Sequence, residues 1–267
     1  MHLKRWLTGL IALPFLVFLI YKGGFWFLLL ILGGCVLALW EYFRIVLNDE
    51  ASILSAMTTI AMIAGLLLIW LAYRGAQELA VFVLAANLMA AGLVAIFQLA
   101  KKPIILEILK KQVQGVIYVP LLLSFLVLIR NTEDGMRWIF LLVSIIFAGD
   151  IAALYAGTFF GRHKLAPAVS PGKTIQGSIG GIAANIAVGS LAKFIFLPLL
   201  PWPSTIFFCV VAGVAGQIGD LFESALKRAS NVKDSGGILP GHGGILDRID
   251  ALLFAAPVAY FFRVYIF

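Results

Sequence analysis

The 267-residue sequence predicts an all-α polytopic membrane protein of about nine transmembrane helices with a cytoplasmic N-terminus. Hydrophobic residues make up 62% of it and charged residues 12%. An ordinary soluble domain has about 45–50% and about 25%, so this apolar excess cannot be hidden in one core. The apolar residues also fall in runs of roughly 20, the length that crosses a bilayer as a helix. Lys and Arg separate by side once those runs are laid out, which sets the orientation. With 21 Phe, 7 Tyr and 6 Trp, the chain is the reverse of a disordered composition. Its two cysteines, Cys35 and Cys209, sit in apolar runs and provide no disulfide framework.

The predicted spans are 6–21, 25–46, 52–73, 79–99, 114–130, 137–158, 175–199, 203–226 and 249–266. The first opens on Met1, His2, Lys4 and Arg5 as a signal peptide would. No small-residue cleavage site follows and a second apolar run begins almost at once, so a retained helix is expected. With the N-terminus inside, 14 of the 20 Lys and Arg fall on the cytoplasmic side and 5 outside, Lys193 lying near the outer end of its helix. The longer polar loops, 100–113, 159–174 and 227–248, are then cytoplasmic. Polar chemistry is expected at that face of a cell inner membrane. Residues 1–140 read as transmembrane scaffold and 141–267 as the part that carries the chemistry. The net charge of +7 suits an anionic lipid headgroup or a nucleotide triphosphate better than nucleic acid, given where the cations lie.

Acids at bilayer depth cost at least about 2.5–3.5 kcal/mol on insertion scales, so Glu41, Asp150, Asp220 and Glu223 each need a reason. Asp150 and Asp220 follow Gly and small residues that let a partner helix approach. Asp220, Glu223, Ser224, Lys227 and Arg228 recur at i, i+3, i+4, i+7 and i+8 and so share one helix face. Carboxylates on the membrane side can take a hard divalent cation, and the cations above them phosphoryl oxygens. On spacing alone a salt-bridged helix face is the simpler account.

The segment that follows, Lys233 to Asp250, reads KDSGGILPGHGGILDRID. Its glycines can close backbone N–H groups on a phosphate chain, although turns use glycine too. Asp247 and Asp250 then supply a second carboxylate pair at i, i+3, and Asp220 with Asp247 could clamp one or two Mg²⁺ ions. His242, alone among glycines, is read as a phosphate-contacting group and not as a ligand of a hard cation. A third patch, SPGKT, lacks the full Gly-x-x-x-x-Gly-Lys spacing of a P-loop. Ser170 and Pro171 are expected to open a turn there, with Lys173 and Thr174 starting a helix whose N-terminus suits an anion.

The stretch SALKRASNVKDSGGILPGHGGILDRID, Ser224 to Asp250, resembles the signature of the phosphatidate cytidylyltransferase (CDP-diacylglycerol synthase) family. The pattern is met by Ser224, Lys227, Arg228, Lys233, Asp234, Leu239, Pro240, His242, Gly243, Gly244, Asp247, Arg248 and Asp250. Asp150, the Tyr155 to Gly161 stretch, SPGKT and the Trp40–Glu41 pair resemble the family as well. Two positions depart from it: Gly172 stands where members commonly have Lys, and Gln176 where they have Glu, and a neutral Gln is neither a full metal ligand nor a base.

The resemblance implies CMP transfer from CTP to phosphatidic acid, giving CDP-diacylglycerol and pyrophosphate in phospholipid biosynthesis. It implies a Mg²⁺-dependent enzyme in which Asp220 and Asp247 ligate the metal and Asp250 and Asp150 are ligands or their supports. A second cation, divalent or monovalent, and a homodimer are left open. Lys227, Arg228, Lys233 and Arg248 would neutralise phosphates. Ser224, Asp234, His242, Gly243, Gly244, Ser170, Lys173 and Thr174 would bind substrate. A transporter should spread its polar groups across the bilayer, whereas these gather at one face. A CDP-alcohol phosphotransferase would carry an Asp-Gly-x-x-Ala-Arg pattern, and Asp134–Gly135 leads into Met136 and Arg137 instead.

Overall fold

The computed structural model describes residues 13–47, 55–232, 235–237 and 243–267. Lys233, Asp234, His242 and the first part of the expected 6–21 span lie outside the described residues. The helices are α1 (Leu13–Lys22), α2 (Gly24–Leu47), α3 (Ala56–Arg74), α4 (Glu78–Gln98), α5 (Ile105–Val116), α6 (Leu122–Arg130), α7 (Gly135–Phe160), α8 (Ile175–Phe196), α9 (Trp202–Ala229) and α10 (Leu246–Tyr265). Among the described residues seven helices have the length and apolarity to cross a membrane, with α5 and α6 forming one of them, Ile105–Arg130. The seven do not include the shorter α1 or the charged-ended α10.

Two expectations need correction. The segment 100–113 is not wholly a loop: α5 starts at Ile105, because Ile105, Ile108, Gln112, Gly115 and Val116 bury one face while Glu107 and Lys110 pair on the other at 2.6 Å. Nor is the chain entirely α. A hairpin of β1 (Lys164–Ala166) and β2 (Ser170–Thr174) pairs Lys164 with Thr174 and Ala166 with Ser170. SPGKT is thus a strand, its Pro171 on a two-stranded sheet that has only edges.

The chain divides into two compact units, residues 1–131 with 229–248, and residues 132–228 with 249–267. In the first, Tyr42 lies fully buried, and its hydroxyl shares its one proton between the Lys111 carbonyl at 2.9 Å and Gln114 Oε1 at 3.1 Å. A side chain at Gly115 would strike that ring, with Cβ 2.5 Å from Cε1. Asn87 and Gln112 exchange amide hydrogen bonds between α4 and α5, so neither polar group is lost to hydrocarbon. Pro120, lacking an N–H, sits in a π-helical turn, Ile117–Leu121, that joins α5 to α6. It packs on Gly65, where a Cβ would lie 3.0 Å from the proline ring.

In the second unit, α7 and α8 run against each other along small residues. A Cβ at Gly180 would lie 2.5 Å from Ala156 Cβ, and one at Gly181 2.9 Å from the Gly149 carbonyl. The buried Asn185 amide fills the space that Gly149 of α7 and Gly213 of α9 leave open. Trp138, Phe208 and Phe262 close the other end of this unit, with ring centroids 5.3–5.4 Å apart from one contact to the next.

Candidate active site

The sequence-predicted residues fall into two groups, one in each unit. In the second unit α9 carries Asp220, Glu223, Ser224, Lys227 and Arg228. The helix runs past Asp220, as α7 runs past Asp150, so both acids stand within helices and not at their ends. Glu223 is buried and pairs with Lys227 at 2.5 Å one turn on. Arg228 Nε donates to the Val169 carbonyl at 3.2 Å, tying the end of α9 to the turn of the hairpin.

Asp220 Oδ2 lies 2.5 Å from Lys173 Nζ. Lys173 therefore meets a carboxylate here, although its sequence position suggested a phosphate. Asp250 is buried on α10, within electrostatic reach of Asp220, Asp150 and Lys227. Gly219 permits this approach, since a Cβ there would collide with the Asp250 carbonyl oxygen. Asp150, Asp220 and Asp250 thus share one neighbourhood, fed by three helices. Ser170 on β2 and Ser224 on α9 are both half-buried.

The hairpin is fixed to α8 by two side chains. Thr174 is the N-cap, its Oγ1 accepting from Gly177 N at 3.1 Å. Gln176 Oε1 accepts from Arg162 N at 3.1 Å and His163 N at 3.2 Å, and its Nε2 lies 2.8 Å from His163 Nδ1. In this chain the residue at the family's Glu position clamps the start of the hairpin by hydrogen bonds that a neutral amide can make in full.

In the first unit Asp247, in the opening turn of α10, turns back on the loop before it. Its Oδ2 accepts from Gly244 N at 2.9 Å and Ser235 N at 3.2 Å. Gly243 has φ +80°, and a Cβ there would come 2.8 Å from that same oxygen, so both the backbone angle and the space call for glycine. Arg248 follows with an exposed side chain.

Sequence reasoning attached no role to Glu41, yet it accepts three hydrogen bonds in this unit. Fully buried on α2, it accepts from Leu246 N at 2.8 Å, Ile245 N at 3.1 Å and Ser235 Oγ at 3.1 Å. A Cβ at Gly236 would lie 2.5 Å from Glu41 Oε1, and one at Gly244 would collide with Glu41 Oε2 and Ser235 Oγ. Two of the loop's glycines therefore make room for this carboxylate. Its traces in the sequence are an acid inside an apolar run and the family-like Trp40–Glu41 pair.

Among the described residues no three His, Cys, Asp or Glu side chains converge as a ready ligand set. Mg²⁺ is commonly held by one or two carboxylates, with water and substrate phosphates completing its shell. Asp150, Asp220 and Asp250 offer the carboxylate oxygens that such a cation takes, with the Lys173 ammonium against Asp220 in this structure.

The chain matches the model of the Cytidylyltransferase family over residues 3–266. It is similar to a phosphatidate cytidylyltransferase of Bacillus subtilis (strain 168), 32% identical over 271 aligned positions that cover 97% of this chain and 96% of that one. A phosphatidate cytidylyltransferase of Staphylococcus epidermidis is 41% identical over 137 residues, 51% of this chain and 52% of that protein. One of Brucella suis biovar 1 is 41% identical over 149 residues, 55% of each chain.

Proposed function

The chain belongs to the cytidylyltransferase family, and from that premise we propose how its residues divide the work of moving CMP from CTP to phosphatidic acid. It is a membrane-integral phosphatidate cytidylyltransferase, and its products are CDP-diacylglycerol and pyrophosphate. The observation that carries this reading is the end-to-end match to the Bacillus subtilis enzyme, joined to the signature from Ser224 to Asp250.

In the transfer, an oxygen of the lipid phosphate attacks the α-phosphorus of CTP and the bond to pyrophosphate breaks in line. A phosphate monoester is largely ionised near neutral pH, so no general base is needed. What the site must supply is neutralisation and alignment. Lys227 and Arg228, at the end of α9, are assigned to substrate phosphates, with Lys233 and Arg248. Ser224, Ser170 and Thr174 are assigned to hold substrate, and so are Asp234, His242, Gly243 and Gly244. Lys173, which neutralises Asp220 here, is assigned to a substrate phosphate beside that carboxylate. Mg²⁺ would offset the charge that builds on the triphosphate as pyrophosphate departs. Asp220 is its proposed ligand in the second unit, with Asp150 and Asp250 as ligands or their supports, and Asp247 keeps the ligand role read from its sequence position. The cation bias supports an active face toward the cytoplasm of the inner membrane.

Incubating the purified protein with labelled CTP and phosphatidic acid tests the reading. CDP-diacylglycerol is expected, and its formation should stop on chelation. CMP-dependent breakdown of a CDP-lipid, or no turnover at all, would refute it.

A further inference from the structure

We propose that Glu41 is a positioning residue for the transfer, holding both ends of the glycine-rich loop and the start of α10 so that Asp247 and Arg248 are presented in one fixed arrangement. The proposal rests on the function given above. Glu41 lies about 200 residues from the loop in sequence, yet its two oxygens take the N–H groups of Ile245 and Leu246 and the hydroxyl of Ser235. Those N–H groups belong to the opening of α10, where backbone donors lack partners within the helix and where a negative charge is favoured. Ser235 gives its hydroxyl to Glu41 and its N–H to Asp247 at 3.2 Å, so one residue couples the two carboxylates. Gly244 makes the same link from the other end of the loop, donating to Asp247 at 2.9 Å while packed against Glu41. Gln at position 41 would keep the size but set an NH₂ against at least one of these donors. The acceptor, not the volume, is therefore what the position requires.

The test compares Glu41→Gln with the native protein by steady-state kinetics and by hydrogen exchange of the peptide containing Ile245 and Leu246. Glu41→Gln should speed exchange there about tenfold and lower kcat about tenfold, with KM for CTP within about twofold. Gly33→Ala, on the same helix with nothing within 4 Å of the added carbon, should leave both unchanged. Native kcat in Glu41→Gln with accelerated exchange would make Glu41 merely structural and overturn the proposal, as would unchanged exchange. If Glu41→Gln does not fold, Ser235→Ala takes its place. It removes only the hydroxyl link and should lower kcat about threefold with faster exchange, and native kcat there also overturns the proposal. Absence of CDP-diacylglycerol synthesis by the native protein would instead sink the functional reading, and the exchange data would still report whether Glu41 holds the loop.

Discussion

Lys173 and Asp220 face each other at 2.5 Å, each about a third exposed, and a lysine ammonium in that place can be displaced by a more highly charged cation. Asp220→Asn removes half of the carboxylate's charge-bearing oxygens while keeping its shape. The variant should lose roughly 10²-fold in kcat/KM, about 2.7 kcal/mol of barrier, and need more Mg²⁺ for half activity. Kinetics across a Mg²⁺ series would check this, and full activity with unaltered Mg²⁺ dependence would remove Asp220 from the metal site. The residue types of the site were legible in the sequence because Ser224 to Asp250 is contiguous. The pairings were not, since Lys173 meets Asp220 across 47 positions and Glu41 meets Ser235 across 194. No local periodicity encodes contacts of that span.

The hairpin and α8 work together at the level of the element. Thr174 ends β2 and caps α8 with a 3.1 Å bond, and Gln176 draws the chain at Arg162 and His163 back onto the same helix. Thr174→Ala removes the cap acceptor and should cost about 1 kcal/mol, read as a lower midpoint of thermal unfolding in detergent. An unchanged midpoint would mean that the cap contributes nothing. Long apolar runs made most helices readable, because hydrocarbon admits little else. The hairpin is not legible in the sequence, because its strands span three and five residues and SPGKT looks like a turn on composition. The early start of α5 left a readable trace, Ile105, Ile108 and Val116 at helical spacing, hidden by the charges of Glu107, Lys110 and Lys111.

For the whole molecule, the proposed topology rests on the chain's cations and the proposed chemistry on its few acids. Cys35 and Cys209 are both buried, so a single introduced cysteine reports its own position. Lys110→Cys, on the exposed face of α5, should resist impermeant thiol reagents in intact cells and react after permeabilisation. Labelling from outside would invert the orientation and move the phosphate chemistry to the wrong face. In the proposed reaction the acids on α7, α9 and α10, with the cations beside them, serve the transfer of CMP to a lipid phosphate. Its most direct measurement is the product formed by the purified protein from labelled CTP and phosphatidic acid, with Mg²⁺ and with excess EDTA. CDP-diacylglycerol and pyrophosphate in equal amounts, abolished by EDTA and restored by Mg²⁺, is the predicted result. The same yield in EDTA would contradict the metal assignment, and no CDP-diacylglycerol under either condition would contradict the function itself.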